Sequence, residues 1–304
     1  MHLMRLVFLL LSGFFLLNSC NSGSLQKGDL KTDSLSTAAE EKPASDTTLL
    51  SYWDSFDFGD MNLIKSPQVG EQKFANFLAD LPSVPDSVAN TAIRNHLLKA
   101  EISKSALDYY IQQYEHYLYD PNSPMRNELY YKPVLEYLIS SPGTEETAKV
   151  RYEMILKLVD QNMPGTLAND FAFEDSKGKN RKLHEVEAVY KMLFFYDPTC
   201  ETCAGKISDL QNSSLTNELI DAGQLTVLAV SLNPERSLWR DDQDAIPLNW
   251  INGFNTGGTV ITKGLYNILA YPTIYLLDKE NKVILKDAPL DVTLRELFKL
   301  TGKA

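Results

Sequence analysis

Cys200-Glu201-Thr202-Cys203 constrains this chain more than any other segment. It follows an apolar run, Met192-Leu193-Phe194-Phe195-Tyr196, that reads as a buried strand, and Lys206 through Leu219 beyond it read as a helix. Two cysteines three apart at a strand-to-helix junction share one face, so their sulfurs can meet in a small ring. The junction adds chemistry to the spacing. Unpaired N–H groups and the positive end of the helix dipole favour a thiolate, the nucleophile of disulfide exchange. The pattern predicts a two-cysteine redox centre.

The chain has three cysteines, so pairing Cys200 with Cys203 leaves Cys20 to be explained. Arg5 supplies positive charge, Leu6 to Leu17 is apolar, and Ser19 is a small residue before Cys20. Residues 1–19 therefore read as a signal peptide whose apolar core is short for a membrane span. Leu17-Asn18-Ser19-Cys20 resembles a bacterial lipobox, although Asn18 is less usual at its position. That resemblance implies lipidation of Cys20 and a membrane-anchored protein facing the periplasm of a bacterial cell envelope. An ordinary signal cut nearby would instead leave Cys20 as a free thiol.

In that compartment a disulfide is a better reading of CxxC than a metal. The four histidines, His2, His96, His116 and His184, are scattered, and there is no second CxxC. A structural zinc site needs four nitrogen or sulfur ligands, so no metal is expected. No nucleotide, haem or flavin motif stands out, which leaves the Cys200–Cys203 disulfide as the redox group. A net charge of −11 with no basic cluster argues against nucleic acid as a partner.

Residues 20–48 are rich in Ser, Thr, Lys, Asp and Glu and predict a flexible tether. Residues 49–162 predict an all-α domain of unknown function. Tyr52 to Phe58 is an aromatic lead segment, and helices are expected near 70–81, 86–102, 104–118, 127–140 and 144–161. Pro82, Pro85, Pro121, Pro124 and Pro142 fall between them. Ser123-Pro124 suits an N-cap followed by proline at the first helical position. Tyr110, Tyr114, Tyr117 and Leu118 form an apolar stripe at helical spacing, which reads as a tyrosine-rich core.

Residues 163–304 predict an α/β domain. Short strands are expected at 171–173 and 181–183, and a central strand at 189–196. A helix should run over 201–222 to Gly223, followed by a strand at 225–232. Residues 233–258 read as irregular and 264–269 as a short helical segment. A hairpin is expected over 273–278 and 282–286, then a helix over 293–300. Such alternation implies a sheet covered on both faces.

Three segments resemble the thioredoxin-like family, in particular the membrane-tethered thiol–disulfide oxidoreductases of bacterial envelopes. Gly165 to Phe171 looks like the lead-in to the family's first strand, Phe195 to Cys203 like its active-site turn, and Tyr271-Pro272-Thr273 like its cis-proline loop. The helical half resembles an uncharacterised domain that precedes thioredoxin-like domains in bacterial lipoproteins. The resemblance implies a thioredoxin-like fold, a central mixed sheet flanked by helices, behind the all-α domain. It implies Cys200 as attacking thiolate, Cys203 as resolving thiol, and Tyr271 and Pro272 against the client. Clients would be envelope proteins with thiols or disulfides, and an upstream thiol would supply electrons.

The chain departs from the family at two places. Phe194 stands where many thioredoxins have a buried acid, and Lys206 where tethered relatives often have Glu. The carboxylate that relays a proton to the resolving thiol is missing at both, and Glu201, Asp197 and Asp209 are the nearby acids that could substitute. Glu201 beside Cys200 offsets the helix dipole, so a moderately acidic Cys200 and a comparatively reducing couple are expected. Trp239 and Trp250 are candidates for the border of a client groove, although aromatics in an insertion more often pack on their own scaffold. A second reading stands beside the enzyme. In it the helical domain recognises a partner and the CxxC is a structural disulfide.

Overall fold

The computed structural model describes residues 46–302. The signal peptide, Cys20 and most of the tether lie outside the described residues. The first helix among the described residues is α1 (Asp46–Leu50).

The N-terminal half is all helical: α2 (Met61–Ile64), α3 (Gln72–Asp80), α4 (Asp86–Ala100), α5 (Lys104–Tyr114), α6 (Glu128–Ser140) and α7 (Glu146–Val159) follow. Asp60 caps α2, its carboxylate accepting the Asn62 and Leu63 N–H groups at 2.9 and 3.2 Å. The stripe on α5 does pack inward: Tyr110, Tyr114 and Leu118 are buried, with Tyr117 at the margin. Trp53 of the lead segment joins that core and stacks on His96 at 4.3 Å. Ser123-Pro124 does not begin a helix. Ser123 instead closes a turn, its hydroxyl donating to the Tyr117 carbonyl at 2.6 Å. Asn127 caps α6, accepting the Leu129 N–H at 3.0 Å.

The C-terminal half is a seven-stranded sheet in the order β2-β1-β5-β4-β3-β6-β7. Its strands are β1 (Ala172–Asp175), β2 (Asn180–Lys182), β3 (Tyr190–Tyr196), β4 (Leu225–Ser231), β5 (Ile251–Phe254), β6 (Thr273–Asp278) and β7 (Val283–Leu285). β3, β4 and β5 are parallel, while β1, β2, β6 and β7 join antiparallel. Successive residues of β3 alternate between two cores, as pleated geometry requires. Met192, Phe194 and Tyr196 face one, and Leu193 and Phe195 the other. The first core is covered by α8 (Glu201–Gln211), α9 (Ser214–Asp221), Trp239 of α10 (Arg236–Asp241) and α12 (Leu290–Thr301). The second holds Phe171, Phe173, Tyr266 and Val260 of α11 (Thr259–Thr262).

Three expectations fail here. The helix over 201–222 is two helices, because the Asn212 side chain turns back onto the Ser208 carbonyl at 2.9 Å and Ser213 caps a new start, accepting the Thr216 N–H at 3.2 Å. Residues 233–258 are not irregular: they hold α10 and β5. The strand escaped notice because it is four residues long with Asn252 and Gly253 at its centre. Gly253 is needed there, since a Cβ would come within 2.8 Å of the Phe173 ring. The helical turn expected over 264–269 lies earlier, in α11, which Gly264 ends at a φ of 57°.

The two halves join through a polar network. Arg126 Nη2 lies 2.9 Å from Asp287 Oδ2, and Lys286 Nζ lies 2.9 Å from Glu128 Oε2. Lys286 also donates to the carbonyls of Val159 and Gln161, and Asn267 donates to Glu128.

Candidate functional site

The end of β3 delivers the chain to Asp197, where a turn reverses it into α8. Asp197 organises that turn. One carboxylate oxygen accepts from the Thr199 N–H at 2.8 Å and hydroxyl at 2.7 Å, and the other from Asn233 Nδ2 at 2.9 Å. Burial raises the Asp197 pKa, but these hydrogen bonds to Thr199 and Asn233 outweigh it and leave the carboxyl below its ordinary value. The Cys200 N–H closes the turn on the Asp197 carbonyl at 3.0 Å.

Cys200 is the N-cap of α8. Its Sγ accepts the Cys203 N–H at 3.1 Å, filling with sulfur the place where a capping oxygen usually sits. Cys200 is partly exposed, whereas Cys203, the third residue of the helix, is 1% exposed. Both are free thiols. Burial pushes the Cys203 thiol up to about 12, with the hydrogen bond to Cys200 adding to the rise and a backbone hydrogen bond from Asp197 opposing it.

The Tyr271–Pro272 peptide is cis and enters β6. It lies against the cysteines: the Tyr271 carbonyl is 3.7 Å from Cys200 Sγ. Cys200, Cys203, Tyr271 and Pro272, far apart in sequence, therefore converge at the C-terminal edge of β3 and the start of β6. Phe194 is fully buried in the sheet core and Lys206 is paired with Asp209 at 3.1 Å, so neither position supplies an acid to Cys203. Glu201 is exposed. Trp239 and Trp250 do not border a groove; both are buried in the core, with Trp239 Nε1 donating to Asn252 at 2.8 Å.

Two concavities flank the pair. Behind Cys203 is a cavity of about 180 Å³, walled by Asp197, Tyr196 and, from the end of α10, Asp242. Burial raises the Asp242 carboxyl above its ordinary range. Sequence reading missed Asp242, which lies in the stretch taken as irregular; its only signal is an acidic pair, Asp241-Asp242. On the other side, beside Tyr271 and Pro272, is an open groove of about 490 Å³. Among the described residues no group of three or more His, Cys, Asp or Glu side chains is arranged to hold a metal ion, and no helix is long and apolar enough to cross a membrane.

Residues 42–162 match a family described as Domain of unknown function (DUF5106), and residues 164–286 match the AhpC/TSA family. No curated protein matches the chain. A thioredoxin-like protein from Bacteroides caccae is 35% identical, covers 89% of this chain and 99% of its own, and superposes with a TM-score of 0.80. The C-terminal domain of an uncharacterized protein from Bacteroides fragilis is 34% identical over 45% of this chain and 97% of its own, with a TM-score of 0.44. The thioredoxin domain of a thiol-disulfide oxidoreductase from Bacteroides vulgatus is 22% identical over 46% of this chain and 96% of its own, at 0.40. The first of these matches spans both halves of this chain, and this chain belongs to the thioredoxin-like family, as an AhpC/TSA domain preceded by a DUF5106 helical domain.

Proposed function

We propose that this chain is a lipid-anchored, envelope-facing thiol–disulfide oxidoreductase that reduces or shuffles protein disulfides through Cys200 and Cys203. The observation that carries the reading is the asymmetry of the pair. One sulfur is accessible, held by a helix N–H at 3.1 Å and faced by a backbone carbonyl at 3.7 Å, while its neighbour is buried with a strongly raised pKa. Attack and resolution are thereby divided between two groups of different character.

The Cys200 thiolate attacks one sulfur of a client disulfide. A Cys200–client disulfide forms, the client S–S bond breaks, and one client thiolate leaves. Cys203 then loses its proton and attacks Cys200 Sγ. The Cys200–Cys203 bond forms, and the second client thiolate leaves and takes up a proton. The client gains two electrons, and the pair is returned to the dithiol by an upstream thiol reductant. Tyr271 and Pro272 support the client chain beside Cys200.

The resolving step needs a base, because a thiol near 12 is almost wholly protonated at neutral pH. The cavity behind Cys203 has room for ordered water. Of its two carboxylates, Asp197 is committed to Thr199 and Asn233, while Asp242 holds its proton more readily. Asp242 is the acceptor in this reading, and it takes over from the acid missing at Phe194 and Lys206. Attachment through Cys20 rests on the first twenty residues and their lipobox-like end.

The test is the reduction potential of the Cys200–Cys203 pair, by thiol trapping in glutathione or dithiothreitol buffers. A reversible couple between about −270 and −180 mV, the span of exchange proteins, supports the reading. A couple well below about −300 mV makes the pair a structural disulfide and overturns it.

A further inference from the structure

We propose that the helical half forms one wall of the client groove, and that the groove so closed selects an extended polypeptide segment carrying an aliphatic or aromatic side chain beside its cysteine. The inference rests on the redox reading above and gives the helical domain a part in it.

The groove beside the active-site turn is shared between the halves. Pro121, Asn122 and Arg126 come from the helical half, and Tyr271 and Pro272 stand across from them. The wall is firmly built. Asp120 Oδ1 accepts the Asn122 N–H at 2.8 Å, and the Asn127 N–H donates to the Leu118 carbonyl at 2.9 Å. Arg126 ties the segment to the sheet domain through both the carboxylate and the carbonyl of Asp287, the latter at 3.3 Å.

The position of the groove commits its occupant. A client joined to Cys200 in a mixed disulfide sits against the Tyr271 carbonyl, 3.7 Å from the sulfur, and Tyr271, Pro272 and Thr202 all line the groove. The chain flanking the client cysteine on that side has the helical wall as its neighbour.

The groove's charges are already answered within the protein. Arg126 is paired with Asp287, Lys206 with Asp209 at 3.1 Å, and Asp291 with Arg295 at 2.7 Å. What is left for a ligand is apolar surface presented by Tyr271, Pro272, Ala288, Pro289 and Leu294, over a floor of buried Ile274 and Leu290. An apolar side chain gains by covering that surface, whereas a charged one finds no free partner.

Two experiments test this with the full chain. First, kcat/KM is measured for reduction of insulin and of hydroxyethyl disulfide, in wild type and in Asn122→Trp, which fills the groove from an exposed turn. The insulin value should fall about tenfold relative to the small disulfide. Equal changes for both, or no change in either, overturn the proposal. Second, wild type is offered disulfide-linked peptides with Trp or Asp beside the cysteine. A preference of about tenfold for Trp is expected, and equal rates overturn the proposal. If wild type reduces neither hydroxyethyl disulfide nor insulin, the redox reading itself fails, a result separate from loss of selectivity.

Discussion

Arg126 and Asp287 meet at 2.9 Å across the junction between the helical half and the sheet domain, with side chains only 17% and 6% exposed. The guanidinium does not fully repay the carboxylate's loss of water. Burial pushes Asp287 up to about 6, Arg126 pulls against it, and nearby Glu128 adds to the rise. A raised carboxyl contributes stability that is fully present below its ordinary value of 3.8 and is lost as pH climbs through about 6. A shift of that size corresponds to about 3 kcal/mol. Asp287→Asn has no such titration. The stability of wild type relative to this variant, from urea unfolding, should therefore fall by about 2.5 kcal/mol between pH 4 and pH 7, the remainder of the span lying below pH 4. A difference that stays flat over that window would show that Asp287 does not titrate in the native junction.

Asp242 gives a kinetic prediction. Asp242→Asn leaves a polar side chain of the same shape in the cavity but removes the proton acceptor. Single-turnover release of the second client thiol should slow by about 100-fold at neutral pH, a common size for a lost general base. Formation of the mixed disulfide at Cys200 should be spared. The rate of the slow step should also rise with pH more steeply in the variant, since hydroxide must replace the carboxylate. Cys200, Asp197 and Tyr196 also face this cavity, so Asp197→Asn is the necessary companion. If that variant slows resolution and Asp242→Asn does not, the base is Asp197.

The parts of the site that could be read from the chain are those written in short local patterns. CxxC after an apolar strand, and Tyr-Pro-Thr before an apolar hairpin, each carry their own geometry, and the fold brings Cys200 to Tyr271. What escaped reading depends on assembly. β5 is stabilised by its two neighbours, with Gly253 under Phe173, and no run of apolar residues announces it. Asp242 follows α10 and lines the same cavity as Cys203, a placement made by assembly between two residues 39 positions apart. The Pro121–Arg126 wall reads as a plain turn until Arg126 is found on Asp287.

A close backbone approach in the helical half gives a third prediction. A Cβ placed on Gly70 would fall 2.0 Å from the Ile64 carbonyl oxygen and 2.5 Å from that of Leu63. These are backbone atoms at the end of α2 and cannot swing aside as a side chain would. Gly70→Ala should cost about 3 kcal/mol, at the upper end for overpacking, and lower Tm accordingly. Thermal unfolding within a degree of wild type would mean that α2 moves freely against the segment that follows it.

His96 supplies the last prediction, of opposite sign to the first. Its ring is fully buried between Trp53 and Tyr110, with centroids 4.3 Å away in each case, and Nδ1 is 2.8 Å from the Tyr114 hydroxyl. Burial holds its pKa well below the ordinary 6.5. As pH falls through 6.5 the unfolded chain binds a proton on His96 that the folded chain refuses. Its contribution is therefore present above 6.5 and lost toward acid, while that of Asp287 grows as pH falls from about 6. The two partly cancel in wild type, so a flat pH profile of the whole protein would hide both. His96→Phe keeps an aromatic ring but strands the Tyr114 hydroxyl, at a cost of about 1–3 kcal/mol at pH 7.5. Because the variant lacks the acid-side loss, the gap between it and wild type should narrow when urea unfolding is repeated at pH 5. A gap of the same size at both pH values would mean that the native core admits a proton on His96, and that the aromatic cluster around it opens to water.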